Sequence, residues 1–212
     1  MELIATMEGF MTRKLITSGY FVVTVFLIPG SDVLAQGQAE GGPPVLAKQL
    51  VTPRATSRLL VTSSAFASGG ALNDRYTQNG ENMSPPIAWT KGPQGTQSYV
   101  LLAEDAGVNR AEPVFHWVVY DIPSTMTQMS GHQPADATLN NGAMQGLNVR
   151  KASGFLGPKP PTGQTHPYHF EVFALDTKLR LDPGKSDRNA VVAAMKEHVL
   201  ADGDIVVNYT GK

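Results

Sequence analysis

Beyond residue 56 the apolar runs of this chain are short, and proline or glycine stands at their ends. A fold of many short strands joined by rigid turns satisfies that punctuation; a bundle of long helices does not. The 21 glycines, 15 prolines and 17% charged residues agree with it. Strands are predicted at Leu59–Ser63, Ile87–Trp89, Ser98–Glu104 and His116–Ile122, with Ala71–Tyr76 following a Gly-Gly break. Tyr168–Leu175 alternates cleanly. Tyr168, Phe170, Val172 and Ala174 share one face, and His169, Glu171, Phe173 and Leu175 the other. One segment reads as a helix, from about Arg188 to Leu200, with Ser186 or Asp187 as its cap and Gly203 as its stop. A last strand follows at Ile205–Tyr209. The sum is a mainly β domain with antiparallel pairing. The sequence contains no GxGxxG, P-loop or GxSxG motif and no internal repeat.

Residues 1–35 have the pattern of a signal peptide. Arg13 and Lys14 precede the apolar stretch Leu15–Ile28, Pro29-Gly30 break it, and Val33-Leu34-Ala35 offers a cleavage site before Gln36. The stretch is shorter than the ~20 residues that span a bilayer, so cleavage is expected, with an uncleaved anchor as the alternative. Translation starts at Met1, Met7 or Met11. Residues 36–56, rich in Gly, Ala, Pro and Gln, read as a flexible lead-in, and 57–212 as one domain. The expected location is periplasmic or secreted. The chain has no cysteine, so its stability rests on packing, and thiol catalysis and thiolate metal sites are excluded. The net charge is −1 with no basic block, which argues against a nucleic-acid partner.

Chemistry concentrates in two segments. In the first, Glu104-Asp105 ends a strand and His116 opens the next. If these strands are neighbours, Asp105 reaches His116, raises its pKa and favours an anion-binding imidazolium; a structural imidazole is the competing reading. Glu104, of opposite parity, points away from that site. In the second, the loop Gly157–Gly163 is followed by His166 and Tyr168. Its prolines fix the backbone, its glycines admit close approach, and free N–H groups beside it could cradle an oxyanion; a plain rigid turn explains it equally well. His166 and His169 have opposite parity and make a poor metal pair, so no metal and no cofactor is expected. His132 and His198 read as structural or solvent-facing, and Trp89 and Trp117 as core.

Taken together, Asn79–Trp89 (NGENMSPPIAW), Glu104–Pro123, Gly142–Gly146 (GAMQG) and Gly154–Leu175 resemble the phosphatidylethanolamine-binding proteins. The nearest branch is the bacterial one often labelled Raf-kinase-inhibitor-like, and the resemblance runs from about Leu59 to Thr210. It implies a sandwich of two antiparallel sheets with a few peripheral helices, and a small anion cleft at the sheet end. By resemblance, Asp105, His116 and His166 line the cleft, Gly157, Pro160 and Pro161 form its rim, and Tyr168 adds a hydroxyl. One departure is plain. Where the family reads DPDAP, this chain has Asp105-Ala106-Gly107-Val108-Asn109, so Gly107 replaces the second acid and both prolines are gone.

The expected function is an exported binding protein for a phosphate-bearing ligand or phospholipid head group. A protein-interaction or inhibitor module is one alternative. An acid–base enzyme using Asp105, His116 and His166 is the other, although no nucleophile is evident. A homodimer is compatible with the resemblance.

Overall fold

The computed structural model describes residues 41–212. The expected signal peptide and its cleavage site lie outside the described residues. In chain order the elements are α1 (Ala47–Leu50), β1 (Val61–Thr62), a 3-10 turn (Asp74–Tyr76), β2 (Ile87–Trp89), β3 (Ser98–Asp105), β4 (Val114–Pro123), β5 (Gln128–Met129), β6 (Met144–Gln145), β7 (Thr165–Leu175), α2 (Arg188–Met195) and β8 (Val199–Thr210). They form two antiparallel sheets, β1-β2-β5 and β6-β4-β3-β7-β8. No helix among the described residues is long and apolar enough to cross a membrane.

The larger sheet is covered on both faces, which is why every residue of β3 is buried. On one face Leu101, Trp117, Val119, Phe170 and Val172 pack against Ile87, Trp89 and Met129 of the small sheet. On the other, Val100, Leu102, Val118 and Phe173 pack against Val191 and Met195 of α2 and Ala47 of α1. The alternation predicted for β7 holds, with Phe170, Val172 and Ala174 in the first core and Phe173 and Leu175 in the second.

Two bulges in β4 interrupt its pairing with β3. Tyr99 faces Ile122 while Leu101 faces Val119, and Ala103 faces Trp117 while Glu104 faces Phe115. An extra residue in one strand bends it and re-aims a side chain. At the second bulge the extra residue is His116. Phe115 therefore packs on the second core while Trp117 stays in the first.

Between β1 and β2, Asn73 accepts a hydrogen bond from the Arg75 N–H and closes a turn, leaving a single bridge from Ala71 to Asn208. Two expectations are corrected. The helix from Arg188 ends at Met195, capped by Asp187. From Val199 the backbone pairs with β7 and carries Gly203 through the middle of a strand instead of stopping a helix. Within the lead-in predicted over 36–56, the described residues 41–56 are docked on the domain. Ala47 is fully buried and its N–H donates to Glu104 at 2.9 Å, and the Arg54 and Ala55 N–H groups donate to the Val199 and Leu200 carbonyls. The segment is held because it covers two buried carboxylates, those of Glu104 and Glu171.

Candidate functional site

Three strands of the large sheet deliver the polar cluster at its end. Asp105 is the last residue of β3 and lies opposite Tyr168 of β7. Two residues back along β7, on the same face, comes His166, beside the start of the next loop where the Ala106 N–H donates to the Pro167 carbonyl. The β4 bulge turns His116 onto that face, edge-on to Tyr168 with ring centroids 5.3 Å apart.

The cleft above this cluster measures about 280 Å³. Asp105, His116, His166, Pro160 and Pro161 line it, together with Gln78, Arg150 and Lys159. Two wider depressions, of about 480 and 720 Å³, contain neither carboxylate nor imidazole and offer less to a charged ligand. Asp105, His116 and His166 thus converge, as the sequence led one to expect, but their pairing differs. Asp105 accepts hydrogen bonds from His166 Nδ1 at 2.9 and 3.0 Å and from the Gly107 N–H at 2.8 Å. His116 turns its Nδ1 to the Leu156 carbonyl at 2.6 Å. A carbonyl only accepts, so Nδ1 carries the hydrogen and Nε2 presents a lone pair. Nε2 is buried and has no partner among the described residues.

This reverses the expectation that Asp105 would charge His116. Burial holds the His116 pKa below the ordinary imidazole value. The Leu156 backbone, Asp105 and the Gly157 backbone push it upward without prevailing, and Arg150 lowers it further. The ring is neutral at neutral pH, and its unpaired nitrogen costs on the order of 1–3 kcal/mol.

Two other predicted residues take different places. Gly157 is a brace behind the rim: its N–H donates to Asn82 Oδ1 at 2.7 Å and its carbonyl accepts from Gln78 Nε2 at 2.6 Å, so it has no free N–H for an oxyanion. A Cβ there would sit 2.7 Å from Thr77 Cα; the glycine admits the neighbouring loop, not a ligand. Tyr168 lies beneath the cleft, 2% exposed, with a hydroxyl that has no partner among the described residues and whose pKa burial and then Asp105 drive upward. It supports the histidines and contributes no hydroxyl to the cleft wall.

Gln78, Arg150 and Lys159 were missed as site residues. Arg150 donates to Gln78 Oε1 at 2.6 Å and makes no salt bridge among the described residues, and neither does Lys159. Lys159 lies within the proline loop already singled out, and its charge was the available signal. Gln78 and Arg150 come from irregular segments with no pattern to read. Asp105 is the one acid in the lining, and it is already engaged, so the cleft presents two unmatched cations beside the buried, unpartnered Nε2 of His116.

A family model for the phosphatidylethanolamine-binding protein matches residues 62–210. A UPF0098 protein of Methanothermobacter thermautotrophicus is 37% identical over 145 residues, which cover 68% of this chain and 94% of that protein. Escherichia coli YbcL, described as a new member of the mammalian PEBP family, superposes with a TM-score of 0.68 at 29% identity, covering 74% of this chain and 100% of that one. The homologue CT736 from Chlamydia trachomatis gives 0.65 at 27%, with the same coverages. The chain belongs to the phosphatidylethanolamine-binding protein family.

Proposed function

We propose that this chain is an exported binding protein whose cleft holds a small phosphate-bearing anion, free or as the head group of a phospholipid. The observation that carries the reading is the charge balance of the cleft: Arg150 and Lys159 stand unmatched in a lining whose one carboxylate, Asp105, is already taken by His166 and the Gly107 N–H. Positive groups that gain a partner only from a ligand favour an anion. A cleft of about 280 Å³ suits a phosphate with a short substituent, not acyl chains. The reading of export rests on the Arg13–Ala35 pattern.

Isothermal titration of the full chain with inorganic phosphate tests the reading. Binding is expected, and hydrogen bonds to charged groups contribute about 1.5–3 kcal/mol each. Replacing Arg150 and Lys159 together by alanine is therefore expected to weaken it by at least about tenfold. Undiminished binding in that variant would refute the placement, and no binding of phosphate by the native chain would refute the function.

A further inference from the structure

The unpartnered nitrogen of His116 narrows the ligand class, on the premise that the cleft binds an anion. With Nδ1–H committed to the Leu156 carbonyl, Nε2 can only accept. Among the described residues no group around it supplies a hydrogen. From β3, Asp105 accepts from His166 and Gly107. From β7, His166 directs Nδ1 to Asp105, and the Tyr168 ring meets His116 edge-on while its hydroxyl stays unpaired. Arg150 is bonded to Gln78, and the Lys159 ammonium makes no hydrogen bond to the ring. We infer that the cleft selects anions that bring an acidic hydrogen, namely phosphate monoesters in the hydrogen-bearing form, over phosphodiesters, with His116 Nε2 accepting that hydrogen while Arg150 and Lys159 take the remaining oxygens.

A monoester, R–O–PO₃H⁻, donates its P–O–H to Nε2 and keeps its charge for the two cations. A diester has no such hydrogen. To bind equally well it must draw a proton from water onto a buried imidazole beside Arg150. Binding of a monoester above its second ionisation, near pH 6, must therefore take up one proton. It is shared between ligand oxygen and Nε2, whichever formally holds it. A free phosphorylated metabolite and an intact lipid head group, which is a diester, are thereby distinguished by the same site.

The test compares O-phosphoethanolamine with glycerophosphoethanolamine, the same amine on a monoester and a diester. Titrations use the full chain in buffers of different ionisation enthalpy between pH 7 and 8.5. The monoester is expected to bind at least about tenfold tighter, to take up close to one proton, and to lose about tenfold in affinity per pH unit. His116→Ala, checked for folding by circular dichroism, is expected to abolish both proton uptake and the preference. Because the native proton count needs no variant, a substitution that fails to fold leaves the test intact. Equal affinity for the two esters, or binding without proton uptake, overturns the inference while leaving anion binding standing. Failure of both esters and of inorganic phosphate to bind overturns the inference together with the function it rests on.

Discussion

His166 occupies the space into which any side chain at residue 107 would have to project. A Cβ on Gly107 would lie 2.3 Å from His166 Cγ, and the ring cannot retreat without leaving Asp105. Gly107→Ala is therefore expected to destabilise the domain by about 1–3 kcal/mol through overpacking, and to weaken phosphate binding because Asp105 and His166 lose their register. Urea denaturation and titration calorimetry on the variant check both; a stability within about 0.5 kcal/mol of the native chain would show that the ring has room. Parity along β7 put His166 and Tyr168 on one face, and it was the family resemblance that brought Asp105 to them. Parity could not tell which partner Asp105 would choose, because the bulge that turns His116 breaks the two-residue period. Arg150 and Gln78 were not legible, since their approach depends on how two irregular loops cross the sheet end.

The docked segment around α1 covers charged groups on the opposite face of the sheet. Arg188 on α2 donates through Nε to Glu104 at 2.6 Å and through a terminal nitrogen to the Val45 carbonyl at 2.8 Å; both side chains of the ion pair are almost wholly buried. Removing the guanidinium strands a carboxylate, so Arg188→Met is expected to cost about 3–5 kcal/mol, measured as a shift in urea midpoint. Glu171, next to that pair, accepts from the Lys48 N–H and leaves its other oxygen without a partner among the described residues. Burial, and then repulsion from Glu104, raise its pKa well above 4.5. A carboxyl raised on folding contributes stability fully present below its unfolded pKa and lost as pH rises through the folded value. Glu171→Gln should therefore gain stability relative to the native chain as pH rises above 4.5, as paired denaturation curves at successive pH values would show; a difference that does not change with pH would mean Glu171 is ionised. Asp204 works in the other direction. His169, and then Lys48, hold its pKa at about 2, so its contribution is lost as pH falls from 3.8 through that value. The sequence placed Glu104, His169 and Glu171 away from the cleft by parity alone. It gave no sign that residues 41–56 would cover them, because a four-residue helix among prolines and glycines has no periodicity to detect.

At the scale of the whole molecule, stability without disulfides rests on one sheet buried on both faces, and the second face is complete only with the docked segment in place. On the proposal that the chain is exported, this constrains where its signal can be cut. Cleavage after Ala35 would begin the chain at Gln36 and keep every residue that reaches Glu104, Arg188 and the start of β8. Cleavage beyond Val45 would remove the carbonyl that Arg188 holds and disrupt the Ala47 N–H bonded to Glu104, charging the protein two buried interactions of about 1.5–3 kcal/mol each. The exported protein is accordingly expected to start at Gln36, as intact-mass measurement of material from the exported fraction would show, and a version engineered to begin at Ser57 is expected to unfold at markedly lower urea concentration. An exported protein that retains residues 1–35 would refute cleavage, and a Ser57 version as stable as the longer chain would show that the segment rests on the sheet without supporting it.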